Sequence, residues 1–280
     1  MNFHPKKCKV VSIERNPPPL LGILPNIQYI YSLGDNFLDY ADTEKDLGVF
    51  INSKLNFNEH CCKILLKANQ QFGLTKRTCH FVNDAKRRRV LYLALVRGQF
   101  EHCSPIWRPS GKTLLDKFEK FQRKCLKWVL GEENLSYRSW AVYVRKCKQA
   151  DLLPIADRFK LNDLLLLHRV IYNLLPLTLP DYLSFFDGNS RLRSCHLDKL
   201  SLVNNLPLSC NNDTYLNKSF FFRTHKIWNT LPLEIRQIGV ANVFKEFLTA
   251  FLWKLNIGEL SEVEDWAGED SGLSSSDCDN

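Results

Sequence analysis

The spacing of apolar positions along the chain changes near residue 57. Before it, "IQYIYSLGDNFLDYADTEKDLGVFINSKL" groups Ile, Tyr, Val and Phe in short runs, which predicts two or three short strands with Gly34-Asp35-Asn36 as a hairpin turn. "KCKVVSI" (7–13) predicts one more strand, and "NPPPLLGILPN" (16–26) a loop punctuated by Pro and Gly. From Asn58 onward the period is helical. The first helix, "NEHCCKILLKANQQFGLTKRT", begins on an Asn cap and places Ile64, Leu65, Ala68 and Phe72 on one side. The second takes Asn83 or Asp84 as its cap and runs through "AKRRRVLYLALVRGQFEH" until Ser104-Pro105 disfavours continuation. The third, "TLLDKFEKFQRKCLKWVLG", carries a stripe of Leu114, Leu115, Phe118, Phe121, Leu126 and Val129, closed by Gly131. Helical patterns also cover 154–174, 215–230 and 242–256. The Asn-rich stretch 187–213 between them reads as an irregular or mobile connection.

The expected fold is therefore mainly α. Strands are confined to residues 1–57, a basic helical bundle follows at 58–150, then a second helical region at 151–256, and an acidic disordered tail at 257–280. Leu91, Leu95, Leu114, Phe118, Phe121, Trp128, Leu165, Phe221, Trp228, Phe244 and Phe247 are the expected buried side chains. Trp107, Phe118, Phe121 and Trp128 are interleaved with Lys112, Lys117, Arg123 and Lys127. An aromatic stripe at helical spacing is more simply core than a platform for bases.

Composition narrows the function classes. The chain has 280 residues, 45% of them hydrophobic, enough for a buried core. Its longest apolar run, "LLLLHRVIYNLL", contains His and Arg and is too short to span a bilayer. The N-terminus lacks the order of a signal peptide, so an intracellular protein of the nucleus or cytoplasm, with mostly reduced cysteines and no membrane partner, is expected. Four Cys/His groups stand out: His60-Cys61-Cys62, Cys79-His80, His102-Cys103 and Cys195-His196. None has the C-x2-C pairing of a zinc site. Phosphate loops, dinucleotide fingerprints and nucleophile elbows are absent, and no spacing marks a catalytic carboxylate pair.

Charge adds more. Net charge is +8, but residues 60–150 hold 20 Lys and Arg against 6 acidic residues, whereas the stretch from Glu259 holds 8 acidic residues and no Lys or Arg. A polyanion is the natural partner for the middle segment, with a solvated basic face as the plainer alternative. Lys86-Arg87-Arg88-Arg89 falls in the first turns of a helix, where positive charge opposes the macrodipole. That local cost suggests an anionic partner. The acidic end mimics a short phosphate run that could compete for the same surface.

Several blocks then resemble one family in its own order. "KDLGVFINSKLNFNEHCCKILLKANQQFGLTKRTC" (45–79) resembles the segment after the palm in non-LTR retrotransposon reverse transcriptases of the jockey-like and chicken-repeat-like kind. "LYLALVRGQFEHCSPIWRP" (91–109) is similar to the family's L-Y-x-x-L-V-R-x-x-L-E-Y-x-x-x-x-W-x-P. "FEKFQRKCLKWVLG" (118–131) is similar to I-E-x-x-Q-R-x-x-x-R, and "NKSFFFRTHKIWNTLPLEIRQIGVANVFKEFL" (217–248) to S-F-F-x-R-x-x-x-x-W-N-x-L-P. Upstream, "NFHPKKCKVVSI" (2–13) resembles motif D of the polymerase. Coverage runs from about Asn2 to Phe251.

The resemblance implies a palm remnant with primer-grip-like strands, a helical thumb that tracks an RNA–DNA duplex, and a C-terminal helical extension. It assigns Lys7 and Lys9 to the motif D match and Arg77, Arg97 and Arg123 to thumb motifs, with Lys86, Arg87, Arg88 and Arg89 as further basic contacts to RNA or RNA–DNA duplex. Tyr40-Ala41-Asp42 is three quarters of the Y-A-D-D turn of such polymerases. In the family, however, that turn precedes the K-C-K strand, so here it is a coincidence. The metal-binding aspartates, fingers and endonuclease would precede Met1. Alone the chain is thus expected to be no enzyme and to need no cofactor, Mg²⁺ belonging to a complete reverse transcriptase. Asn52, where the family often has Asp, and the acidic tail depart from the pattern. Two alternatives stay open: a fragment of a complete enzyme for target-primed reverse transcription, and a domesticated helical protein-interaction module.

Overall fold

The computed structural model describes residues 8–13, 30–186, 198–206 and 214–269. Strands come first. β1 (Lys9–Val10) pairs in parallel with β4 (Asp39–Tyr40), and β2 (Ser32–Leu33) pairs with β3 (Asn36–Phe37) across the expected turn, where Gly34 sits at φ +61°. β5 (Thr43–Asp46) and β6 (Val49–Asn52) form a hairpin whose two-residue turn, Leu47-Gly48, has φ of +43° and +92°. Two successive positive φ values match the turn that follows the right-handed twist of paired strands. This gives the D-L-G-V block its physical reason for a glycine.

The hairpin is docked on helix α1 (Asn58–Thr78). The Phe50 N–H donates to His60 Nδ1 at 3.3 Å, the Lys63 ammonium lies 3.8 Å from the Phe50 ring centroid, and Val49 is buried. Burial pushes the His60 imidazole down to about 4, with help from His102, so it stays a neutral acceptor.

The bundle continues with α2 (Ala85–Leu91), a π-helical turn (Tyr92–Arg97), α3 (Gly98–Glu101), α4 (Ser104–Trp107), α5 (Lys112–Leu130) and α6 (Trp140–Gln149). Asp84 caps α2 as expected, accepting from the Arg87 N–H at 2.8 Å, and Gly131 at φ +71° ends α5. The aromatic stripe is core: Trp107 and Phe118 are fully buried and stack at 5.8 Å between centroids, and Phe159 meets both edge-on. Helix α7 (Ile155–Ile171) gives Ile155 and Phe159 to this core and Leu161, Leu164 and Leu167 to a second one. That second core holds Trp228 of α9 (Phe220–Asn229) and the ridge Phe244, Leu248 and Leu252 of α11 (Ala241–Glu269), with α8 (Thr214–Lys218) and α10 (Leu233–Arg236) at its margin. Helix α11 runs beyond the expected end at 256; residues 270–280 of the tail lie outside the described ones.

Four expectations need correction. Asn58 does not cap α1: it is the first helical residue, the N-cap is Phe57 with no side-chain bond, and the Asn58 N–H donates to Asn56 Oδ1 at 2.9 Å. Strands are not confined to the first 57 residues, because β7 (Leu183–Phe185) and β8 (Leu202–Asn204) pair antiparallel. The polar composition of 187–213 hid β8, whose Leu202 backbone is held on both sides by the Asn229 amide, at 2.9 and 2.8 Å. The rest of that stretch, 187–197 and 207–213, lies outside the described residues. Leu95 is 38% exposed. The π-helical turn widens the period, so Tyr92, Val96 and Arg97 turn inward in place of a Leu91/Leu95 pair. Phe247 is 56% exposed, since the buried ridge of α11 repeats every fourth residue from Phe244 and leaves Phe247 beside it.

Candidate nucleic-acid interface

The basic residues singled out in the sequence separate into distinct environments. Lys9 lies on β1, 3.4 Å from Glu44, and Lys7 lies outside the described residues. Arg77 is exposed in the last turn of α1, and Lys86 and Arg87 are exposed in the first turn of α2. No side-chain ion pair engages these three among the described residues.

Arg88 and Arg89 work inside the protein. Arg88 donates to the carbonyl oxygens of Val82 (2.5 Å) and Trp128 (2.9 Å) and to Asn83, beside the open C-terminal end of α5. Arg89 donates to the carbonyl oxygens of Ala150 (2.8 Å) and Asp151 (2.9 Å) and pairs with the Asp151 carboxylate, closing the end of α6. Helix ends present unsatisfied carbonyls and partial negative charge, so two arginines of the run find their anion within the fold. Arg97 is likewise withdrawn from any phosphate. It is buried against Glu101, which also takes a two-pronged contact from Arg158 at 2.8 and 3.0 Å. Burial raises the Glu101 carboxyl, but the two guanidiniums outweigh it and hold it below its usual value.

Arg123 is the singled-out residue that the structure joins to further cations. It lines an open cleft of about 800 Å³ with Lys76 of α1, Lys120, Lys124 and Lys127 of α5, and Arg138 of the following connection. Lys120, Arg123, Lys124 and Lys127 share one side of α5 because their spacing is that of a helical face. The opposite face of α5 carries Phe118, Phe121, Leu126 and Val129 into the core. The Arg123 guanidinium lies 4.6 Å from the Tyr143 ring centroid, Lys124 is 5.6 Å from Phe72, and Lys127 is 5.5 Å from Tyr137. Phe72, Tyr137 and Trp128 form the cleft floor, and all four rings are almost wholly buried, so they brace the cations without offering a face to a base. Burial raises the Tyr137 phenol, and its hydrogen bond to Glu132 adds to this. Glu132 is drawn off by that bond and by Lys146 at 2.6 Å. The arrangement suits repeated anionic groups at the protein surface.

The stripe at 120, 124 and 127 could have been read from its spacing. Arg123 and Lys127 were visible in the sequence, but Lys76 and Arg138 come from other segments and no local pattern connects them. Among the described residues no group of three or more His, Cys, Asp or Glu side chains gathers as metal ligands would, and no helix is long and apolar enough to cross a membrane. No protein-family profile, no curated protein and no solved structure matches the chain.

Proposed function

We propose that the chain is the thumb-like, nucleic-acid-binding part of a non-LTR reverse transcriptase, gripping an RNA–DNA duplex through its phosphates and performing no polymerisation alone. The observation that carries this reading is the cleft, in which six cations from three segments face one carboxylate, Glu133. The ordered blocks of the family resemblance support the choice of partner. A buried aromatic floor and flexible lysines predict contact with backbone rather than bases, hence weak dependence on sequence.

The test is fluorescence anisotropy with an RNA–DNA hybrid of about twenty base pairs across a salt series. Binding at about 50 mM salt should weaken by orders of magnitude by about 0.5 M, as counterion release requires. Absence of binding at the lowest salt would sink the reading. Primer extension with dNTPs and Mg²⁺ should give nothing above a blank, since among the described residues no cluster of metal-ligating side chains gathers to activate the attacking hydroxyl.

One observation favours a second reading, the protein-interaction module. Val243, Phe247 and Leu255 on α11 are 39%, 56% and 50% exposed at near-helical spacing. Partner binding that ignores salt and survives charge reversal in the cleft would support it.

A further inference from the structure

Resting on the reading of the cleft as a phosphate site, we propose that the cleft is latched by its own carboxylate. Glu133 holds Lys76 where a phosphate oxygen would sit once a nucleic-acid backbone is seated. Among the residues lining the cleft Glu133 is the one acid, and its Oε2 accepts from Lys76 Nζ at 2.5 Å. The bond ties the connection after α5 to the far wall, α1. Its neighbour Glu132 cannot take the role, being held by Lys146 and the Tyr137 hydroxyl. Among the described residues no ion pair engages Lys120, Arg123, Lys124, Lys127 or Arg138. One internal anion therefore faces a field of uncompensated positive charge.

The connection is built to let Glu133 leave. Its start is pinned, with the Glu132 N–H donating to the Lys127 carbonyl oxygen at 2.8 Å, and its end is pinned by buried Tyr137. Glu133, Asn134, Leu135 and Ser136 between them are exposed. The Lys76 and Glu133 side chains are each 46% exposed, so water screens the pair and exchange is cheap. A carboxylate and a phosphodiester offer an ammonium the same kind of acceptor, but a nucleic-acid strand brings several charges where Glu133 brings one. The latch thus sets a threshold: a lone phosphate gains too little to displace Glu133, while a backbone spanning the cleft displaces it.

The test is a double-mutant cycle with E133Q, K76Q and both, reading the Kd for a labelled RNA–DNA hybrid at low salt. In the parent background E133Q should tighten binding by about three- to tenfold, and the gain should fade near 0.5 M salt. In the K76Q background the gain should be at most about half as large on the logarithmic scale, since no cation is being released. Inorganic phosphate should compete with the hybrid better in E133Q than in the parent. An equal gain in both backgrounds makes Glu133 a simple repulsive charge and overturns the latch. Parent binding with no gain in E133Q rejects the latch alone; if neither protein binds, the phosphate-site reading falls with it.

Discussion

Two basic stretches, Lys86 to Arg89 on α2 and Lys120 to Lys127 on α5, look alike as charge and differ in what the fold does with them. On α2 the run sits where the helix dipole is unfavourable, and half of it is spent inside. Arg88 closes α5 and Arg89 closes α6. On α5 the cations occupy the solvent side of a helix whose other face is core, and they converge with Lys76 and Arg138 on one cleft. Local charge density therefore does not tell which cations the fold leaves together at the surface. A run of consecutive arginines points around a helix and can be consumed by nearby helix ends, whereas charges three and four residues apart stay on one side and add their fields.

The sharpest way to break this contrast is charge reversal in each stretch. K120E/K124E/K127E should weaken hybrid binding by about 100-fold at low salt and make the log–log salt slope shallower by about two to three units, one per lost phosphate contact. K86E/R87E should cost less than about fivefold, a long-range field effect that salt removes. Reversal of Arg88 or Arg89 is not an equivalent probe, because it puts a carboxylate against helix-terminal carbonyls. If the α2 pair matters as much as the α5 stripe, the cleft is not the interface.

Next in size is stability. Arg88→Ala deletes bonds to two backbone carbonyls and to Asn83. It should lower unfolding free energy by about 2 kcal/mol, because the α5 carbonyl loses a charged donor at a helix end. Arg87→Ala, one residue earlier and exposed, should stay within about 0.5 kcal/mol. Urea midpoints at constant m-value make the comparison. Equal effects would mean that the Arg88 contacts contribute nothing beyond surface charge.

Much of the fold was legible for a physical reason: periodicity reports burial. The helices of the bundle, the Asp84 cap and the Gly131 stop follow from spacing and capping chemistry. What escaped depends on contacts between distant segments. Glu119 and Gln122 sit inside the apolar stripe of α5 and are buried. Gln122 donates to the Tyr143 hydroxyl and the Leu153 carbonyl oxygen, both at 2.9 Å, and accepts from Tyr92 at 3.2 Å. Glu119 accepts from the Ala156 N–H at 2.9 Å and from Tyr143. Burial raises the Glu119 carboxyl above its usual range, against those bonds. Polar residues at core positions of a stripe signal such a network, and the two fall within the block that resembles the reverse transcriptases. In the same way Arg223 of the last block clamps buried Asp163 together with Arg108. The resemblance thus rests largely on joints of the fold. Most of the cleft cations also lie inside those blocks, Lys76 in 45–79 and Lys120, Arg123, Lys124 and Lys127 in 118–131, but only the assembled bundle brings them together with Arg138.

The smallest effect is expected from the acidic end. From Glu259 the chain carries 8 acidic residues and no base, a length of charge comparable to a short phosphate run. A cut at 259 leaves the buried ridge of α11 through Leu252 and Asn256 in place, so folding should not change. If the tail reaches the cleft, its removal tightens hybrid binding by about threefold at low salt, less than the latch variant, because residues 259–269 continue α11 and docking competes with that helix. The gain should disappear near 0.5 M salt, where the screening length is a few ångströms. It should also be absent from K120E/K124E/K127E, which has no field to hold the tail. A gain that persists in that variant places the tail's partner elsewhere, on a surface such as that of Arg77, Lys86 and Arg87. No change at low salt leaves the contrast between α2 and α5 as the whole of the electrostatics.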